Sequence, residues 1–124
     1  MTIVTHTRRV ARRYAISQSH QARLEFQHPS PGGRHFDFPL IDISVSGLSF
    51  NCGDALRNLE GGSTLPSVVI RLGNCEIHGD LLVMHVTPHS PSVTVCGALF
   101  YPAKDADLTK LKSAIAGITA VIGD

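Results

Sequence analysis

Leu40-Ile41-Asp42-Ile43-Ser44-Val45-Ser46-Gly47-Leu48-Ser49-Phe50 is the stretch on which the reading of this chain turns. Asp42, Ser44 and Gly47 stand at a D-x-S-x-x-G spacing. Apolar residues lead in (Leu40, Ile41, Ile43) and follow on (Leu48, Phe50), so both flanks read as strand. Ser44, Ser46 and Gly47 crowd the middle, which reads as a turn, and Gly47 is free to take a positive φ without a Cβ clash. A short polar corner between two strands can hold a ligand. Asp42 accepts from N–H donors, the Ser44 hydroxyl donates or accepts, and Gly47 lets another group approach the backbone. An ordinary hairpin with a serine turn would use the same residues.

Outward from this corner the chain alternates. Ala22, Leu24 and Phe26 alternate with Arg23, Glu25 and Gln27, the pattern of a half-buried strand. Residues 28–33 hold two prolines and two glycines and read as a turn. Phe36, Phe38 and Leu40 alternate into the second strand. The apolar phase then slips to Ile41 and Ile43, which predicts a bulge or bend near Pro39. A third strand covers 48–52. A loop over 53–65 has room for one helical turn at 55–59. Strands follow over 68–72, 75–86 and 92–101, with turns at Gly73-Asn74 and 88–91. After Pro102 the period changes from 2 to 3.6. Asp105 or Asp107 can cap a helix over about 105–122, with Leu108, Leu111, Ile115, Ile118 and Ile122 on one stripe. Six or so short strands and one amphipathic helix argue a mostly β fold, a small antiparallel barrel with a helix packed on it.

The second informative stretch is Thr7-Arg8-Arg9-Val10-Ala11-Arg12-Arg13-Tyr14, with four arginines in six residues. Guanidinium forks bind phosphates and the O6/N7 edge of guanine in bidentate fashion, and they stack on aromatic faces. A solvated basic tail is the plainer reading of such a run. Net charge is only +1, so the positive charge is local, which suits a small anionic ligand better than a long nucleic-acid track. Residues 1–13 lack an apolar period and read as a flexible basic arm. Residues 14–124 read as a single domain.

An arginine cluster before the first strand, followed by D-x-S-x-x-G, resembles the PilZ family of cyclic di-GMP receptors. Arg8, Arg9 and Arg13 match its R-R-x-x-x-R arm; Asp42, Ser44 and Gly47 match its turn. The resemblance implies a six-stranded antiparallel barrel with a C-terminal helix, agreeing with the periodicity. It also implies a non-catalytic receptor that binds cyclic di-GMP and relays the signal by conformational change. Arg9 and Arg13 would meet phosphates and guanines, with Arg8 and possible additional contacts from Arg12 and Ser46. Asp42 would accept from the guanine N1–H/N2–H₂ edge, Ser44 would bond a phosphate or base, and Gly47 would leave room for the ring. A downstream protein partner in motility or exopolysaccharide machinery is implied too. The alternative is a non-binding PilZ-like adaptor. A small nucleic-acid binder is a third reading, but aromatics are only 6% and Tyr14 alone accompanies the arginines, so no DNA partner is expected.

Other chemistry is set aside. No window nears the ~20 apolar residues of a membrane span, and residues 1–20 lack an apolar signal core, so a cytoplasmic location is expected. Cys75 with His78 and His85 with His89 have spacings that zinc uses. His78 and His85, however, stand at an odd separation in one long strand, which sends them to opposite faces, and no metal is expected. Cys96 lies in a Val/Ala/Leu setting with no charged neighbour and reads as a core thiol. Asp37, Asp42 and Asp80 form a carboxylate pair only if folding gathers them. Gly61-Gly62-Ser63-Thr64 lacks the lysine and spacing of a phosphate loop. No cofactor is expected.

Overall fold

A computed structural model describes residues 13–16, 21–29, 32–56 and 59–122, with side chains described as far as Ile118. Among these residues, seven strands and one helix follow in order: β1 Tyr14–Ala15, β2 Ala22–His28, β3 Arg34–Ile43, β4 Gly47–Asn51, β5 Thr64–Leu72, β6 Cys75–Ser90, β7 Val93–Pro102 and α1 Asp105–Ile122. Every pairing is antiparallel. The neighbour order β3-β2-β5-β6-β7-β4 closes on itself through β3–β4, a barrel of six strands. Closure gives each of these six strands a neighbour on both sides. β1 lies outside this ring, beside the C-terminal end of β3, with Tyr14 opposite Ile43 and Ala15 opposite Asp42.

Alternation fills the barrel. Leu24, Phe26, Leu48, Phe50, Ile70, Ile77 and Val83 point inward and are nearly fully buried. Phe26, Phe36, Phe38 and Phe50 form a ring cluster with centroids 5.6–6.1 Å apart, including stacked Phe38–Phe50 and edge-on Phe26–Phe50. Such offset and tilted contacts suit the ring quadrupoles. Helix α1 lays Leu111, Ile115 and Ile118 on the barrel, and these are buried. Asp107 accepts a hydrogen bond from the backbone N–H of His78 at 2.9 Å, so it ties the helix to β6.

Two local expectations are corrected. β6 runs through Pro88 to Ser90 and turns at Pro91-Ser92, because the ladder to β7 resumes past an irregularity at Pro88. β5 begins at Thr64, four residues early; Pro66 and Ser67 are absorbed where its pairing with β6 shifts register, with Ser67 at φ 57° and its N–H donating to Asp80 Oδ1 at 2.9 Å. The helical turn expected at 55–59 falls partly outside the described residues.

Candidate functional site

The phase slip at Leu40 is a β-bulge. Leu40 pairs with Phe50 but Asp42 pairs with Ser49, so Ile41 is the extra residue. Without it Asp42 would follow Leu40 into the core. With it Ile43 turns inward, 1% exposed, and the Asp42 carboxylate emerges on the outer face. There it meets Arg13, whose Nη1 donates to Asp42 Oδ1 at 2.8 Å. The two residues are 29 positions apart, and β1 brings them together by pairing beside β3. Arg8, Arg9 and Arg12 lie outside the described residues, as does the rest of the arm before Arg13.

Ser44 takes the serine-turn arrangement that the sequence also allowed. It is 2% exposed, and its hydroxyl works inside the turn. Ser44 Oγ accepts from the N–H groups of Ser46 (3.2 Å) and Gly47 (3.1 Å), and lies within donating distance of the Gly47 carbonyl (3.2 Å). The Ser44 N–H donates to the same carbonyl at 2.8 Å. Ser46 is exposed, with its hydroxyl 3.3 Å from that of Ser44.

Gly47 is also needed for a reason other than the one its sequence suggests. Its φ is not in the left-handed region, unlike those of Gly53 and Gly73. Instead, a Cβ at Gly47 would collide with the Ala98 carbonyl oxygen of β7. The group that approaches this backbone is the neighbouring strand.

Two further positions complete the outer surface beside Asp42. Ser49 sits between inward-facing Leu48 and Phe50 and so faces outward, yet it is only 5% exposed. Among the described residues, Ser49 Oγ is the buried side-chain polar atom without a hydrogen-bond partner. Next in the row is Gly97 on β7, opposite Ser49, and then His85 on β6, opposite Gly97. A second bulge lies here: Val83 pairs with Ala98 and His85 with Gly97, leaving Met84 as the extra residue. This overturns the opposite-faces argument, because the bulge resets the phase and leaves His78 and His85 both exposed. Even so, among the described residues no group of His, Cys, Asp and Glu is placed to hold a metal ion.

The remaining candidates are occupied elsewhere. Asp37 pairs with Arg23, Asp42 with Arg13, and Asp80 with the Ser67 N–H, so folding forms no carboxylate pair. Burial pushes the Cys96 thiol up to about 12, with nearby Cys52 adding to the effect. Such a thiol stays protonated at neutral pH and is a poor nucleophile. A cavity of about 500 Å³ lies away from the motif, between α1 and the β5–β6 turn, lined by Leu72, Cys75, Ala114 and Gly117 among others. Among the described residues no helix is long and apolar enough to cross a membrane.

No family model and no curated protein matches the sequence. Solved structures do. The complex of K. pneumonia MrkH with c-di-GMP superposes with a TM-score of 0.79 at 21% identity, covering 91% of this chain and 53% of MrkH. The PilZ domain of Escherichia coli YcgR with c-di-GMP gives 0.72 at 13% identity, covering 93% of this chain and 94% of that domain. The Bacillus subtilis inhibitor of motility MotI gives 0.67 at 15% identity, covering 87% of this chain and 50% of MotI. This chain thus spans about half the length of MrkH and of MotI. At these identities the likeness establishes architecture: the chain has the PilZ fold.

Proposed function

We propose that this chain is a non-catalytic receptor for cyclic di-GMP, with its site on the outer face of the barrel where the arginine arm meets the D-x-S-x-x-G turn. The observation that carries the reading is the Arg13–Asp42 contact. It joins one residue from each of two motifs that are remote in sequence, at a point where a bulge has turned the carboxylate outward. Arg13 is 52% exposed, so its guanidinium remains open to a ligand. MrkH and the YcgR domain, which share the fold, are both found with c-di-GMP.

In this reading Arg13 and Arg9 engage phosphates and guanine faces or edges, Arg8 adds charge, and Arg12 is a solvated neighbour. Asp42 accepts from the guanine N1–H/N2–H₂ edge. Ser44, buried and bonded to its own turn, acts by holding the Ser46 and Gly47 amides in place, and Ser46 is the exposed hydroxyl that reaches the ligand. Gly47 keeps the turn tight against β7. The arm closes on the ligand, and in that position presents a new surface to a protein partner in motility or exopolysaccharide machinery.

Calorimetry with cyclic di-GMP, GMP and single-stranded DNA tests the proposal. Cyclic di-GMP is expected to bind with a dissociation constant of order micromolar or below, about −8 kcal/mol or stronger. At a hundredfold excess over that constant, the ligand stabilises the fold by about 2.7 kcal/mol. Heat with DNA alone would point to a nucleic-acid binder. Neither heat nor a melting shift with any of the three sinks the receptor reading and leaves the non-binding adaptor.

A further inference from the structure

Asp42, Ser49, Gly97 and His85 form one continuous row across β3, β4, β7 and β6. Three strand spacings put its length at about 14 Å, the scale of a dinucleotide. A bulge stands at each end. The one in β3 turns Asp42 outward; the one in β6 turns His85 outward beside Met84. Bulges re-aim side chains and are over-represented beside functional sites.

Between the two ends the surface is built to receive something. Gly97 has no side chain, and a Cβ there would run into the His85 ring at Nε2. The imidazole therefore lies across the strand at Gly97, in space that only glycine leaves open. Thr87 Oγ1 stands 3.4 Å from its Nδ1 on the other side. Beside Gly97, Ser49 Oγ is buried and without a partner. A buried hydroxyl with no hydrogen bond is costly and needs an explanation.

We infer that His85 is a further ligand-contacting residue of this site, its ring packing on a purine face, and that Ser49 Oγ bonds the edge of the same base. The inference rests on the cyclic di-GMP reading and extends its site from the motif turn to β6. Base–aromatic packing is sequence-tolerant, so His85 supplies affinity. A hydroxyl reading a base edge supplies discrimination between guanine and adenine.

The test is titration of the whole chain with cyclic di-GMP and cyclic di-AMP. His85→Ala is expected to weaken cyclic di-GMP about tenfold, and His85→Phe, which keeps a flat ring, to restore most of that loss. Gly97→Ala, which forces the ring off the strand without deleting it, should behave like His85→Ala. Ser49→Ala should narrow the preference for cyclic di-GMP over cyclic di-AMP with little change in the ligand-free melting temperature. Wild-type affinity in His85→Ala overturns the inference, as does a His85→Phe variant as weak as His85→Ala. An unchanged preference in Ser49→Ala removes the edge contact. If the unaltered chain binds no cyclic di-GMP, the receptor reading falls and this inference with it, a result distinct from normal binding by the variants.

Discussion

Arg71 and Arg13 both hold carboxylates on the outside of one barrel, and their surroundings differ. Arg71 on β5 contacts Glu25 on β2 and Glu76 on β6. Glu76 also takes the His78 imidazole, Glu25 takes His35, and Arg23 pairs with Asp37 nearby. On this regular ladder Arg71 faces Glu76 directly, and the Arg71–Glu25 and Arg23–Asp37 pairs run diagonally between neighbouring strands. Charge is matched across neighbouring strands, which is how exposed sheet faces are ordinarily finished. The Arg13 side has, among the described residues, one ion pair, a bulge beneath it, and a buried unsatisfied hydroxyl next to it. An arginine in a saturated lattice has little left to offer a ligand. One held beside an irregular surface with unmet hydrogen bonding has much more.

The sharpest way to break this contrast is to remove each arginine. Arg13→Ala should weaken cyclic di-GMP by about 1.5–3 kcal/mol, the scale of a hydrogen bond to a charged group. Arg71→Ala should leave binding unchanged. Titration at fixed salt checks both; equal losses would erase the distinction. Arg9→Ala and Arg12→Ala extend the test to the arm, with a loss like that of Arg13→Ala for the first and well under about 1 kcal/mol for the second. If Arg12→Ala abolishes binding and Arg13→Ala does not, the arm engages one residue out of register.

Gly47→Ala is expected to act on folding. Its Cβ would strike the Ala98 carbonyl, a backbone group that yields only if β4 and β7 separate. Overpacking of this kind costs about 1–3 kcal/mol, readable as a lower urea midpoint. An unchanged midpoint would mean that the strands part easily there.

The smallest effect belongs to the saturated lattice. The His78 and Arg71 hydrogen bonds hold the Glu76 carboxyl below its ordinary value of 4.5. A depressed carboxylate contributes stability that is present above the unfolded value and is lost as pH falls through the folded one. The melting temperature should therefore decline as pH drops below about 4.5. Glu76→Gln should show a shallower decline, and high salt should narrow the gap between them. Parallel acid profiles would show that the lattice adds nothing to stability.

The sequence by itself determined the fold class, because period-2 burial fits a closed sheet and period-3.6 burial fits a packed helix, and both are local. Leu24, Phe26, Leu48 and Phe50 alternate inward as their spacing requires, and Leu111, Ile115 and Ile118 share one buried stripe. The slip after Leu40 was also legible, since a bulge breaks apolar phase within a few residues. Only the tertiary structure decided what depends on neighbouring strands. Gly47 is required by a carbonyl on β7, about fifty residues away, and not by its own φ. Spacing left Ser44 open between a ligand-facing hydroxyl and a turn hydroxyl, and burial shows it bonded within its turn. His85 read as the wrong face of a strand because Val83, Met84 and His85 carry no sign of the bulge that pairing with β7 imposes. Ser49 gave no signal at all. Its hydroxyl stands out by the groups that fail to reach it, and a missing partner is a property of packing in three dimensions, which residue spacing along a strand does not encode.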